Sequence, residues 1–163
     1  IFAALWAWLD RRGLDPSKPV KSAWGLLLAG ASFIPLALAA QHVGSTGQMA
    51  SVWWIVAAYF VLELGEMCLS PVGLSAVTQL AVPRVVSLMM GTWFLATAFS
   101  EMLAAMFGKL ASIDVPQGQT MDLVEASARY AHLFWLMMWI GLGCGVIALV
   151  AAPLLKWMMR PHR

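Results

Sequence analysis

Four long apolar stretches, separated by short polar segments, limit what this chain can fold into. The stretches are residues 22–41, 49–80, 88–111 and 133–155. A helix needs about 20 apolar residues to cross the roughly 30 Å hydrocarbon core of a bilayer, and each stretch reaches that length. Because hydrocarbon offers no partner to backbone N–H and C=O groups, each stretch must satisfy them internally as a helix. The pattern therefore predicts an all-α membrane protein with four transmembrane helices.

The composition favours the same class of protein. Hydrophobic residues make up 61% of the 163 residues and charged residues only 11%, whereas a soluble domain carries about 25% charged residues. The formal net charge of +2 is too small to suggest a nucleic-acid partner, so we expect contact with membrane lipid and none with nucleic acid. Residues 1–9 are also apolar but are too few to span a bilayer. We interpret them as the end of a further transmembrane helix, with residues 1–163 forming a single membrane domain of a longer protein.

The distribution of Lys and Arg predicts the orientation. Eight of the ten basic residues fall in three segments. Two predicted spans separate each segment from the next, so all three segments lie on the same side of the membrane. These segments are residues 10–21, the turn at Arg84 and the tail 156–163. The opposite side holds only Lys109 and Arg129. Since basic loops stay in the cytoplasm, we expect a multi-pass protein of the cell (inner) membrane, with residues 42–48 and 112–132 outside and the C-terminus inside.

The second apolar stretch carries polar residues that a membrane helix does not keep without cost. Glu63 and Glu66 lie within it, followed by Ser70, Pro71 and Gly73. A carboxylate at bilayer depth costs roughly 2.5–3.5 kcal/mol on insertion scales, and a proline leaves one backbone carbonyl without its helical partner. Glu66 and Ser70 are four residues apart, so they share one helical face. A carboxylate and a hydroxyl together can hold an ammonium group in low dielectric, which predicts a binding site within the membrane.

The sequence motif that begins in the second apolar stretch continues into the third, and the combined motif resembles that of a known protein family. Its elements are Glu66, Ser70-Pro71, Gly73-Leu74-Ser75 and Met89-Met90-Gly91-Thr92-Trp93-Phe94-Leu95. An earlier part of the pattern is Arg12-Gly13, Pro16-Ser17, Pro19-Val-Lys21 and Gly25-Leu26. Together they resemble helices nine to eleven of the proton-dependent oligopeptide transporter family of the major facilitator superfamily. The resemblance implies that the chain is the C-terminal part of such a helix bundle, comprising the end of helix eight and helices nine to twelve.

The resemblance also implies roles for individual residues in binding a substrate peptide within a central cavity. Glu66 matches the carboxylate that pairs with the amino terminus of the peptide. Ser70 matches a neighbouring polar contact, and Trp93 matches an aromatic residue that lines the pocket. The physical chemistry is compatible with these roles, because a tryptophan adds apolar area and attracts a cation.

A second set of residues is implied in motion and proton coupling. Family members bend their helices to open and close a cytoplasmic gate, which assigns hinge roles to Pro71, Gly73 and Gly91. A helix interrupted by proline and glycine near the bilayer midplane is typical of transporters. Glu63 and Glu101 are acids beyond the usual family pattern, and we interpret both as candidates for proton coupling. The proton is then the coupling ion, and we expect neither a metal nor any other cofactor.

Simpler explanations remain open for each of these residues. Glu66, Glu63 and Glu101 could serve in ion pairs between helices, the Ser70 hydroxyl could bond back to its own helix, and Trp93 could be a packing or lipid-facing aromatic. The His and Cys residues lack metal-site spacing, and the sequence offers no nucleophile with a matching base and orienting group. We therefore expect a protein that is not an enzyme.

The interpretation that joins these observations is proton-coupled symport of di- and tripeptides by alternating access. Its expected partners are small peptides, protons, membrane lipid and an N-terminal part of the same transporter. Two alternatives stay open: a secondary transporter of another small solute, and a structural membrane subunit in which the acids only pair helices.

Overall fold

The computed structural model describes residues 8, 11–13, 16–80, 82–111 and 122–158, and these form helices joined by short connections. The helices are α1 (Lys18–Ala31), α2 (Phe33–Thr46), α3 (Trp53–Leu80), α4 (Val86–Ala111) and α5 (Leu123–Met158), with a 3-10 turn at Pro83–Val85. Four segments are long and apolar enough to cross a membrane: Lys18–Thr46, Trp53–Ser75, Pro83–Lys109 and Leu123–Lys156. The predicted all-α membrane fold is confirmed for the described residues. The helix end predicted at residues 1–9 lies outside them, apart from Trp8.

The first span consists of two helices that meet at Ser32, and a proline explains the joint. Pro35 has no N–H to donate to the carbonyl of Ala31, and its ring crowds that carbonyl. The buried Ser32 hydroxyl donates to the carbonyl oxygen of Ala29 at 2.7 Å, which occupies one polar group at the joint. The second helix ends at Gly47, whose positive φ of 66° favours glycine and whose N–H donates to the Val43 carbonyl at 2.8 Å.

The last helix is longer than the membrane requires. It begins at Leu123, within the segment predicted as an external loop, so residues 123–132 are helical. An Asp122 carboxylate oxygen accepts a hydrogen bond from the Val124 N–H at 2.9 Å and caps the first turn. Hydropathy marks only the part of a helix that lies in lipid, whereas capping decides where the helix starts. The first turns of α5 therefore extend beyond the apolar stretch.

Helix α1 is the centre of the packing and lies against both α5 and α3. Pairs of glycines allow the backbones to approach closely. A Cβ built on Gly25 would lie 2.9 Å from the Gly65 carbonyl oxygen of α3, and one built on Gly141 would lie 2.5 Å from the Gly30 Cα. Gly141 of α5 thus packs directly against Gly30 of α1, while Gly143 has no atom within 4 Å of a built Cβ.

Helix α4 is the least embedded of the five. Among its described side chains only Val86, Met90 and Trp93 are half-buried, and the others are exposed. These three are spaced four and three residues apart, so they form one stripe, and the main neighbour of α4 is α3. Farther along, an open groove of about 440 Å³ separates α4 from α5, with Phe107 and Phe134 among its lining residues.

Candidate functional site

The predicted site residues of α3 lie on the face that is turned away from the packed core. Glu63, Glu66 and Ser70 are all exposed, whereas Gly65 and Cys68 on the opposite side are buried. The spacing of three and four residues places Glu63, Glu66 and Ser70 one above another on one face of the helix. Two carboxylates and a hydroxyl are therefore available from the same direction, as the sequence predicts for Glu66 and Ser70.

The three acidic residues of the candidate site have no partner within the described part of the chain. None of the carboxylates of Glu63, Glu66 and Glu101 forms a hydrogen bond or an ion pair with another described residue. By contrast, Glu125 on α5 accepts a hydrogen bond from the Arg129 guanidinium at 2.7 Å, one turn along the same helix. The acids of α3 and α4 are therefore not holding the described helices to one another.

Trp93 of α4 meets this face of α3 at Gly73. A Cβ built on Gly73 would lie 2.9 Å from Cζ3 and 3.0 Å from Cζ2 of the indole, and closer still to Cη2. Gly73 is three residues beyond Ser70, one turn along the same face. The structure thus brings Trp93 to the helix face that carries Glu66 and Ser70, although the two helices belong to different stretches of the sequence.

The remaining predicted residues are Pro71, Gly91 and Glu101. Pro71 is inside α3, which continues through it to Leu80. Gly91 of α4 is exposed, and a Cβ built on it meets no atom within 4 Å. Glu101 is exposed on α4, eight residues and about 12 Å along the helix axis from Trp93. Among the described residues, Glu101 forms no hydrogen bond or ion pair with Glu66 or Ser70.

Tyr59 is a residue of this face that the sequence analysis missed. It precedes Glu63 by four residues and Glu66 by seven, which places its side chain on the same face of α3. Its side chain is well exposed, with a relative accessibility of 62%. The signal was the helical spacing, which can be read in the sequence among the aromatic residues near the start of α3. Its phenol adds one more hydrogen-bonding group beside the two carboxylates.

The start of α1 and the last turns of α3 are linked by a polar contact. The Lys18 ammonium donates to the Ser75 hydroxyl at 3.4 Å. Ser75 belongs to the motif that carries the family resemblance, but the sequence analysis gave it no separate role. The contact lies beyond Pro71, so it ties the last turns of α3 to the start of α1.

The chemistry that these side chains offer is the binding of a cation. Carboxylates form charge-assisted hydrogen bonds with ammonium groups, and an indole face attracts a positive charge. Within residues 8, 11–13, 16–80, 82–111 and 122–158, no three His, Cys, Asp or Glu residues cluster in a way that could hold a metal ion. An ammonium group is a cation that carboxylates and an indole on one face can bind together.

Apolar membrane-spanning helices, glycine-packed crossings and carboxylates on an exposed face define a multi-pass membrane protein. The PTR2 model, which describes the POT family, matches residues 1–121. The chain therefore belongs to the POT family, and the resemblance drawn from the motifs is confirmed.

Curated relatives with transporter names cover most or all of the chain. It is 37% identical over 168 residues to dipeptide and tripeptide permease A of Erwinia pyrifoliae, a match that covers 100% of the chain and 32% of the relative. It is 36% identical over 148 residues to the permease A of Cronobacter turicensis, covering 89% of the chain and 28% of the relative. The peptide transporter YePEPT of Yersinia enterocolitica is 41% identical over 106 residues, with 63% and 21% covered. The chain thus spans about a third or less of the length of these relatives.

Proposed function

We propose that the complete protein containing this chain is a proton-coupled symporter that moves di- and tripeptides across the membrane by alternating access. The observation that carries the proposal is the meeting of Trp93 with the face of α3 that presents Glu66 and Ser70. Membership of the POT family and the names of the relatives support the choice of peptides as substrates.

The site binds the amino terminus of the peptide. The Glu66 carboxylate accepts hydrogen bonds from the ammonium group, and the Ser70 hydroxyl adds a polar contact one turn away. The Trp93 indole supplies apolar area and attracts the positive charge. Low dielectric strengthens the ion pair, because few water molecules compete for either charge. Binding and release need no covalent step, so the protein is a transporter and not an enzyme.

Coupling and gating use other groups of the same two helices. Glu63 and Glu101 are the carboxylates proposed to take up and release the coupling proton, with no further cofactor. Pro71 and Gly91 are the positions at which α3 and α4 bend, because a proline removes one helical hydrogen bond and a glycine resists bending least. An N-terminal part of the transporter supplies the opposite wall of the cavity. The assembly sits in lipid in the cell (inner) membrane with its C-terminus in the cytoplasm, as the Lys and Arg distribution predicts.

Uptake by reconstituted protein tests the proposal directly. The complete transporter in liposomes, given an inward proton gradient, should accumulate a radiolabelled dipeptide, and an uncoupler should collapse that accumulation. Protein-free liposomes measure leakage. Failure of folded, correctly inserted protein to accumulate any di- or tripeptide contradicts the proposal and favours a transporter of another small solute.

Competition by modified peptides tests the role of the ammonium group. An N-acetylated dipeptide should compete with the labelled substrate at least about 30-fold more weakly than the free dipeptide, because it leaves a desolvated carboxylate without its partner. The N-methylated dipeptide keeps the positive charge and serves as the matched control, so it should compete far better than the acetylated form. Equal competition by free and acetylated peptides would contradict recognition of the amino terminus.

A further inference from the structure

The contact between Trp93 and Gly73 depends on the absence of a side chain at position 73. The indole carbons Cζ2 and Cζ3 lie 3.0 and 2.9 Å from the place where a Cβ would stand, distances that carbon atoms not bonded to each other do not tolerate. The ring is rigid and meets α3 with its far edge. It can accommodate a larger residue only by moving as a whole, away from α3.

The two glycines of α4 give a useful comparison. Gly91 and Gly108 of α4 have no atom within 4 Å of a built Cβ, so a methyl group at either position meets open space. Glycine inside a helix costs about 1 kcal/mol relative to alanine. At Gly73 the structure gives a steric reason for accepting that cost, which is distinct from the flexibility that the sequence suggests.

We propose that Gly73 is the positioning residue for Trp93: by lacking a side chain it seats the indole directly on α3, one turn from Ser70, and so fixes the aromatic wall of the peptide site. The proposal rests on the proposed function for the role of that wall. This role differs from that of a hinge. A positioning residue acts through the place of the indole ring, whereas a hinge acts through the motion of the backbone.

The contact also explains why this one position matters for α4 as a whole. Trp93 is one of only three half-buried side chains among those described on that helix, together with Val86 and Met90. Trp93 is the last of the three along α4, and beyond it the described side chains are exposed. A displaced indole therefore moves the point at which α4 leaves α3.

A double-mutant cycle on uptake separates the two roles. The Gly73→Ala variant of the complete transporter should raise the KM for dipeptide about tenfold, with the maximal rate within about twofold of the parent. The Trp93→Phe variant removes the far ring edge that makes the contact, so adding Gly73→Ala to it should change KM less than about twofold. Gly108→Ala is the matched control and should leave both parameters unchanged. An equal loss of maximal rate in both backgrounds, with KM unmoved, would mean that Gly73 is a hinge and would overturn the proposal.

A second readout keeps the inference separate from the transport assignment. Gly73→Ala should lower the midpoint of thermal unfolding of the purified transporter by a few degrees, and the loss should vanish in the Trp93→Phe background. This result supports the positioning role of Gly73 even if the protein transports no peptide. In that case only the proposed function fails. If Gly73→Ala lowers the midpoint of thermal unfolding equally in the parent and in the Trp93→Phe protein, the positioning role is overturned, whether or not the parent protein transports peptides.

Discussion

The Glu66→Gln variant should lose at least about 30-fold in proton-driven dipeptide uptake while it still inserts and folds. Glutamine keeps the shape of the side chain but removes its charge, so the ammonium group of the substrate enters the site without a counterion. Leaving one partner of a desolvated charge pair alone costs about 2–5 kcal/mol, which corresponds to roughly 30-fold to several thousand-fold in affinity. Uptake into liposomes, normalised to folded protein, measures the effect.

Glu125→Gln is the matched control for this substitution. Glu125 is exposed on α5 and pairs with Arg129, and a pair of this kind contributes about 0–1 kcal/mol. Its loss should therefore leave uptake at the parent level. Wild-type uptake by the Glu66 variant would remove that residue from the site. A lower folded yield with normal uptake per folded molecule would assign Glu66 to helix pairing instead.

The Gly30→Ala variant should fold poorly, with a loss of stability of about 3 kcal/mol or more. The added Cβ would lie 2.6 Å from the Leu142 nitrogen and 2.8 Å from the Gly141 carbonyl carbon. Both are backbone atoms of α5, so no side chain can turn aside, and the two helices must separate. Overpacking typically costs 1–3 kcal/mol and more where the surroundings cannot relax. The fraction of monodisperse protein and the midpoint of thermal unfolding report the loss.

Gly143→Ala provides the comparison on the same helix. It lies two residues from Gly141, and a Cβ built there meets no atom within 4 Å. Alanine favours a helix by about 1 kcal/mol over glycine, so this variant should be as stable as the parent or slightly more so. If the two substitutions had the same effect, close contact between α1 and α5 would not be what requires a glycine at position 30.

The features that follow from the period of a single helix were predictable from the sequence. Lipid forces each long apolar stretch to be helical, and the spacing of Glu66 and Ser70 places them on one face. Features that depend on the relative rotation of two packed helices were not predictable from the sequence. The sequence shows three glycines near residue 143 but not that Gly143 itself faces outward, because the partner helix sets that rotation.

The candidate site divides in the same way. Trp93 is suggested by its motif, but its contact with Gly73 joins two separate helices and has no signature in either one. Tyr59 could have been found by extending the spacing of Glu63 and Glu66 by one turn. The joint at Ser32 was also readable, because Pro35 removes the hydrogen bond that would have continued α1. The start of α5 could not be predicted, since hydropathy gives no sign of the N-terminal cap at Asp122.

The close crossing of Gly30 and Gly141 has a consequence for how the protein is made. The two glycines lie more than a hundred residues apart in the chain, so α1 enters the bilayer long before its principal neighbour has left the ribosome. Until α5 arrives, the glycine face of α1 is covered on one side only, by α3 through Gly25 and Gly65. Late pairing of this kind delays completion of the core. Among the described helices, α1 and α3 can therefore pair before α5 is present, and α5 packs on Gly30 only afterwards.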